Sequence, residues 1–350
     1  MKERPLRLAG VTLLAAALPL LARSAELAPP AYHVAARYEI GGTDIGYDFL
    51  RIDSASRRLF VAHRTRVDVL DADTGARLGE IANLAGVHGV EVVHDLNVAF
   101  ATNGANRTVT MFNPGTLELI KTIKYAGEKP DALAYDPSSA LVFVANGGAT
   151  GDLTVIDPAK GAIVGTVDLG AGKLEVLAFD GQGRGFVNDE DRSVVHVFDT
   201  HTLKPVAKWP LAPGEEPTGL AIDRAHHRLF AACGNERLVV LDTDTGKVVD
   251  TVAIGASPDG AAFQAQTGHV FVSNGDGTMT VIGKSSAGRY AVLQTVKTAT
   301  GARTIDLDES TGRLFLPAGR FGPAPAPTAA VPEPHAPLIP ASFAVIVVAP

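Results

Sequence analysis

A phenylalanine that returns at a fixed place constrains this chain more than any other feature. The runs RRLFVAH, NVAFATN, ALVFVAN, GRGFVND, HRLFAAC, GHVFVSN and GRLFLPA carry Phe60, Phe100, Phe143, Phe186, Phe230, Phe271 and Phe315. Successive rings are 40 to 44 residues apart, and the seven are half of the 14 Phe in the chain. Short apolar runs repeating at this period predict an all-β fold, a β-propeller with one four-stranded blade per repeat. Seven repeats predict seven blades. The Phe is read as a wedge between neighbouring blades, since a large ring gains most by burial.

Turn chemistry divides each repeat into four strands. The innermost, strand a, ends at Asp53, Asp136, Asp180, Asp223 and Asp308, with His94 and Gln264 in the other two repeats. Strand b holds the Phe, and strand c is the run of RVDVLD, LTVID or LVVLD. Turns such as DADTG, DPAKG and DTDTG lead into strand d; their Asp can bond local backbone and their Gly accepts positive φ. The abundance of turn residues (36 Gly and 22 Pro) agrees with many short strands. The seventh repeat supplies strands a, b and c (SFAVIVVAP) and no fourth strand. Val34–Ile40 reads as a strand d that precedes the first repeat. It is expected to complete the last blade and remove the open edge of the ring.

Lys2, Arg4 and Arg7 precede an apolar run from Leu8 to Ala22, followed by Ala22-Arg23-Ser24. This order reads as a cleavable export signal over residues 1–24, leaving a single domain over 25–350. The run is too short for a comfortable membrane span, and no span is expected after processing. Export predicts a periplasmic or secreted protein. The net charge is −7, and residues 1–24 carry four basic side chains and one acidic, so the remainder is more acidic still. No basic cluster suited to a phosphate backbone is present, and no nucleic-acid partner is expected. The single cysteine, Cys233, excludes an internal disulfide and reads as a small buried residue at a strand end.

The stretch VFVANGGATGDLTVIDPAKGAIVGTVDLG and its copies VFVSNGDGTMTVI and AFATNGANRTVTMFN resemble the YVTN-repeat, or YncE-like, propellers. The resemblance runs over about residues 32–350. The motif Asn falls on Asn103, Asn146 and Asn274, with His63, Asp189, Cys233 and Ala318 in the other repeats. It implies a seven-bladed propeller in the bacterial periplasm and carries little about activity, because this fold serves enzymes, carriers and scaffolds alike. The motif Asn is read as structural, bonding the b–c connection.

In an up-and-down meander the d–a and b–c connections share one face, and the first residues of strand a line the channel mouth. Counting back five from the residue that ends strand a gives Asp48, Asp131, Glu175, Thr218, Asp259 and Arg303; the second repeat gives Gly89, with His88 beside it. This is a polar, mainly acidic ring and the candidate ligand-binding site. Asp131, Glu175, Asp259 and His88 are the metal candidates, since carboxylates with an imidazole can hold a divalent ion. A structural alternative makes the same residues turn caps and paired surface charges. The Pro-rich insertion 319–340 interrupts a b–c connection on this face and reads as a lid, a docking strip or a rim spacer. His226-His227 lies on the opposite face without further ligands at a useful spacing, and the lone Trp209 reads as outer packing.

Two functions follow. The first is a binding or interaction scaffold taking a small molecule or a periplasmic protein at the channel mouth. The alternative is a metal-dependent, lactonase-like hydrolase in which an ion in the acidic ring polarises a carbonyl and activates water. Neither a haem attachment nor a nucleophile elbow nor a metalloprotease motif occurs in the sequence. The reading therefore favours binding over catalysis, with a divalent metal as the one candidate cofactor.

Overall fold

The computed structural model describes Met1 and residues 31–350, apart from 43–45, 126, 150, 287 and 329–335. Residues 2–24 of the expected signal segment lie outside the described residues. Among the described residues the chain folds into seven four-stranded antiparallel sheets. Their innermost strands, numbered by blade, are Leu50–Asp53, Val87–Val93, Pro130–Asp136, Leu174–Phe179, Pro217–Asp223, Pro258–Gln264 and Asp306–Asp308. Strands a to d follow one another outward in blades 1 to 6.

Blade 7 is closed as the sequence predicts. The strand His33–Glu39 pairs antiparallel with Ala344–Ala349, from His33 opposite Ala349 to Glu39 opposite Ala344. Ile40 N–H extends the pairing by donating to Phe343 C=O at 3.0 Å. The first strand of the ring is thus the outer strand of the last blade, and that sheet has no open outer edge in its strand c.

All seven repeat phenylalanines are fully buried. Each sits in a different apolar cluster, and each cluster joins its blade to the next. Phe60 packs with Val87, Val90 and Ala101 of blade 2, and Phe143 with Leu174, Leu177 and Val187 of blade 4. Phe315 packs with Leu50, Ile52 and Leu59 of blade 1, so the seventh ring joins last blade to first. Strand alternation explains the arrangement: the b strands are buried on both faces, and only the bulky side of each face needs an aromatic to reach across the widening gap.

The turn residues behave as their chemistry dictates. Asp71 Oδ1 accepts N–H bonds from Asp73 and Thr74, at 3.0 and 2.8 Å, in the c–d turn of blade 1. Gly246, at φ +69°, closes the equivalent turn of blade 5, where an added Cβ would lie 2.4 Å from the Trp209 ring. Trp209 is therefore packing between blades 4 and 5. At the inner turn of blade 7, burial would raise the Asp308 carboxyl. Bonds from Ser310, Thr311, Arg57 and Ser54 instead hold it well below the usual range. The motif side chains bind across the b–c hairpin to strand c: Asn103 Nδ2 donates to Thr110 Oγ1 at 2.9 Å and Asn274 Nδ2 to Thr280 Oγ1 at 3.0 Å. His63 meets Asp68, and Asp189 meets His196, in the same manner. These partners are side chains of the facing strand. Backbone bonding is found as well at two of the positions: Asn146 accepts from Lys129 N–H and Gly148 N–H, and Asp189 from Gly172 N–H and Arg192 N–H.

Phe143→Ala should cost about 3–5 kcal/mol, the usual range for emptying a buried aromatic site. Chemical denaturation measures it, and a loss under about 1 kcal/mol would remove the wedge role. Deleting residues 31–40 should lower Tm and cause concentration-dependent association through the uncovered Ala344–Ala349 edge. An unchanged Tm would show that closure by this strand contributes nothing.

Candidate functional site

Each inner strand begins beside its neighbours at one end of the ring, and that convergence forms the collar. His88 Nδ1 lies 2.7 Å from Asp48 Oδ2 and 3.5 Å from Asp131 Oδ1. The three side chains, from blades 1, 2 and 3, offer one ligand atom each within 4.8 Å of one another. His88 occupies the ring position itself, not the flank of Gly89. Strand a of blade 2 ends at Val93, and His94–Leu96 forms a 3₁₀ turn beyond it. The count from His94 was therefore one residue late.

The structure corrects the acidic character of the ring. Lys129 Nζ is 3.1 Å from Asp131 Oδ2, and Lys173 Nζ is 2.6 Å from Glu175 Oε1 while also pairing with Glu190. Arg303 Nε is 3.1 Å from Asp259 Oδ2. Each carboxylate of blades 3, 4 and 6 thus has its own cation. Lys129 and Lys173 both stand two residues before a collar carboxylate, and that repeated offset was the sequence signal for them. Of the four metal candidates, only His88 and Asp131 are brought into one cluster, with Asp48 as the third member. Glu175 and Asp259 are committed to Lys173 and Arg303. Thr218 Oγ1 donates to Pro258 C=O at 2.8 Å, which ties blade 5 to blade 6.

Burial shapes the protonation of this end. Desolvation pushes the Asp259 carboxyl up to about 6, against the opposing pull of Arg303. Desolvation also raises Glu175 well above the carboxylate range; Asp131 and Asp259 add to the rise and Lys173 opposes it.

The Pro-rich insertion is rooted at the collar. Tyr47, next to Asp48, stacks on Phe343 with ring centroids 4.8 Å apart and meets Phe321 at 5.9 Å. Its hydroxyl accepts from Gly319 N–H at 3.2 Å and donates to Gly301 C=O at 2.9 Å. The two feet of the insertion pair at Phe321 and Leu338, and Gly322 N–H donates to Pro337 C=O at 2.8 Å. Phe321 and Ile339 remain exposed. The segment 329–335, which joins these feet, lies outside the described residues.

Below the collar the seven inner strands enclose a cavity of about 490 Å³. Its lining starts one residue past the collar, at Phe49, Gly89, Ala132, Val176 and Gly260, and continues to Ser54, Arg224 and Glu309 in the a–b turns. Sequence reasoning missed its charged centre. Arg51 Nη2 donates to Glu91 Oε1 at 3.0 Å, and Arg51 Nη1 lies 3.8 Å from Asp306 Oδ2. These residues stand on the inner strands of blades 1, 2 and 7. Desolvation pushes the Glu91 carboxyl up to about 7, although Arg51 opposes the rise.

A family model described as outer membrane protein assembly factor BamB matches residues 63–321. No curated protein matches the sequence. Among solved structures, the WD40 propeller domain of Doa1 is 11% identical with a TM-score of 0.68, over 91% of this chain and 97% of that one. U3-55K is 9% identical with a TM-score of 0.73, over 90% and 99% of the two chains. The WD40 repeats of RRP9 are 9% identical with a TM-score of 0.74, over 90% and 98%. At such identities the likeness extends to the fold alone.

Two outcomes are expected. Zn²⁺ or Mn²⁺ should raise Tm saturably in the wild type and not in His88→Ala; an equal response in both would end the metal reading of Asp48, His88 and Asp131. Glu91 binds its proton more tightly folded than unfolded. Its contribution to stability is therefore present at acid pH, below the ordinary carboxyl value, and is lost as pH rises through about 7. Glu91→Gln should flatten that fall, which is roughly 3 kcal/mol in size, in urea titrations at acid and alkaline pH. An unchanged slope would place the titration elsewhere.

Proposed function

This chain belongs to the family described as outer membrane protein assembly factor BamB, and from that premise we propose that it is an exported protein-interaction scaffold that takes its partner on the collar face. The observation that carries the reading is the rooting of the Pro-rich insertion beside Asp48. Tyr47 fastens both, and the same face leaves Phe321 and Ile339 exposed. An exposed aromatic beside a rigid rim of paired charges suits a protein partner: the ring anchors, and the charges set orientation.

Residues 1–24 act as the removable export signal in this reading, and 25–350 as the mature periplasmic domain. Among the described residues no helix is long and apolar enough to cross a membrane. The YVTN-repeat likeness and the family membership both support a periplasmic propeller. The metal-dependent hydrolase is not favoured, because Glu175 and Asp259, two of its four expected ligands, are held by cations of their own.

Site-specific photo-crosslinking in cells tests the face. A crosslinker at Phe321 should give a discrete adduct in the periplasmic fraction, and one at His226 in the a–b turn of blade 5 should give none. Adducts from position 226 alone, or a cytoplasmic protein, would overturn the reading.

A further inference from the structure

We propose that the central cavity binds a small organic monocarboxylate, with its carboxylate on the Arg51 guanidinium and its apolar body against the inner strands. The proposal is separate from the collar face and does not depend on a protein partner.

The first observation is a break in the repeat. On each inner strand one residue pairs with the wedge phenylalanine of strand b. In blades 3 to 6 that residue is Ala134, Ala178, Ala221 and Ala262. In blades 7, 1 and 2, which are consecutive around the ring, it is Asp306, Arg51 and Glu91. Four blades show that alanine satisfies the fold at this position. A buried ionic triad is a poor source of stability compared with apolar packing. Its placement on three adjacent blades, facing the alanines of the other four across one cavity, points to binding.

The second observation is how the three side chains are used. Asp306 Oδ2 accepts from Ile52 N–H at 2.8 Å, and its Oδ1 from Leu307 N–H at 3.0 Å. Glu91 Oε1 accepts from Arg51 and from Val92 N–H at 3.2 Å. The Glu91 side chain is 3% exposed, whereas that of Arg51 is 41% exposed, within the lining of the cavity. Among the described residues the Arg51 side chain makes one hydrogen bond, because the 3.8 Å approach to Asp306 is too long to count as another. The carboxylates therefore hold one part of a guanidinium whose side chain lines the cavity and stays partly exposed there. A planar fork with free N–H groups matches an oxyanion bound through two oxygens.

The third observation selects the ligand class. A cavity of about 490 Å³ holds a small organic molecule. Phe49, Phe179, Phe263 and Leu177 place apolar side chains in its wall beside the charged groups, which offers contacts to a ligand with an apolar body that inorganic phosphate cannot use. The two carboxylates behind Arg51 disfavour a dianion. Desolvation raises both the Glu91 and the Asp306 carboxyls, which lessens the negative charge behind Arg51 and eases the approach of a single negative charge.

Calorimetry and thermal shift with benzoate, octanoate and indole-3-acetate test the inference, with benzamide and inorganic phosphate as controls. Saturable binding of at least one carboxylate at millimolar concentration or better is expected, with benzamide and phosphate roughly tenfold weaker. Arg51→Met should abolish it. Ala178→Met, on blade 4, which narrows the cavity from the opposite side and leaves the triad intact, should weaken it as well and serves if Arg51→Met fails to fold. No saturable response to any carboxylate would overturn the proposal. So would an unchanged response in folded Arg51→Met, which would make the triad an interblade latch. Phosphate binding as tightly as the carboxylates would overturn the ligand class.

Discussion

Every blade of this ring is a sheet buried on both faces, so no blade can satisfy its apolar surface alone. The constraint that follows is closure. Seven interfaces need seven wedges, and the last interface needs a partner from the beginning of the chain. Phe315 meets Leu50, Ile52 and Leu59 only because blade 7 abuts blade 1, and that blade is complete only because His33–Glu39 lies on Ala344–Ala349. Removing the pairing affects more than one edge: it unseats a whole interface, together with Tyr38, which is buried in the same cluster. With a single buried cysteine and no disulfide, circular packing carries the mechanical continuity that a covalent staple would otherwise provide.

The closure region is also where the chain departs from its own repeat. Arg57 of blade 1 bonds Asp308 of blade 7 at 2.5 Å. Asp306 of blade 7 accepts from the Ile52 N–H of blade 1, and Thr304 donates to Asp48 C=O. The Pro-rich insertion grows from blade 7 and is fastened to Tyr47, just ahead of blade 1. Polar contacts of this kind add less stability than apolar packing but tolerate fewer alternatives, so they favour one register of first blade against last. At the level of the inner strands the charged groups fall on blades 7, 1 and 2, whereas at the collar they are spread around the ring. Inside the channel, a circular scaffold of near-equal blades thereby acquires a charged sector facing one of alanines.

The sequence made the period, the seven wedges and the closing strand legible, because each depends on local alternation and spacing. It also located six of the seven collar residues by offset. The seventh failed for a local reason: the 3₁₀ turn His94–Leu96 replaces the last strand residue of blade 2, and a count from its end inherits the shift. The wedge phenylalanine is the better origin, since it stands twelve residues after Asp48, His88, Asp131, Thr218, Asp259 and Arg303 alike. Glu175 departs from that spacing by one residue, because the a–b turn of blade 4 is one residue shorter: Ala178 faces Phe186 eight positions on, where the other blades have nine. The cations Lys129 and Lys173 were visible, but their reach to the carboxylates was not, because flexible side chains do not declare their direction in a pattern. Arg51, Glu91 and Asp306 were hidden more deeply. They are hundreds of residues apart at the extreme, and only closing the ring makes them neighbours.

Collar and cavity differ in how their charge is handled, and the difference follows from solvent. At the collar each buried carboxylate has a cation that still reaches water: the Arg303 side chain is 49% exposed, and Lys129 and Lys173 are more than a third exposed. Such pairs are screened and add little to stability. Their value is a fixed pattern of charge on a rigid rim, which can orient an approaching surface without holding it strongly. Inside the channel the arrangement is inverted. The carboxylates of Glu91 and Asp306 are withdrawn into the wall, and the cation is the group left toward the cavity. There the lower dielectric strengthens any hydrogen bond the guanidinium makes and penalises any it lacks. A charge turned toward a cavity between the inner strands has more to gain from a partner than one on the rim. The channel, with its partly exposed guanidinium, is therefore better suited to hold a small anionic ligand than the mouth, where the collar carboxylates already have partners.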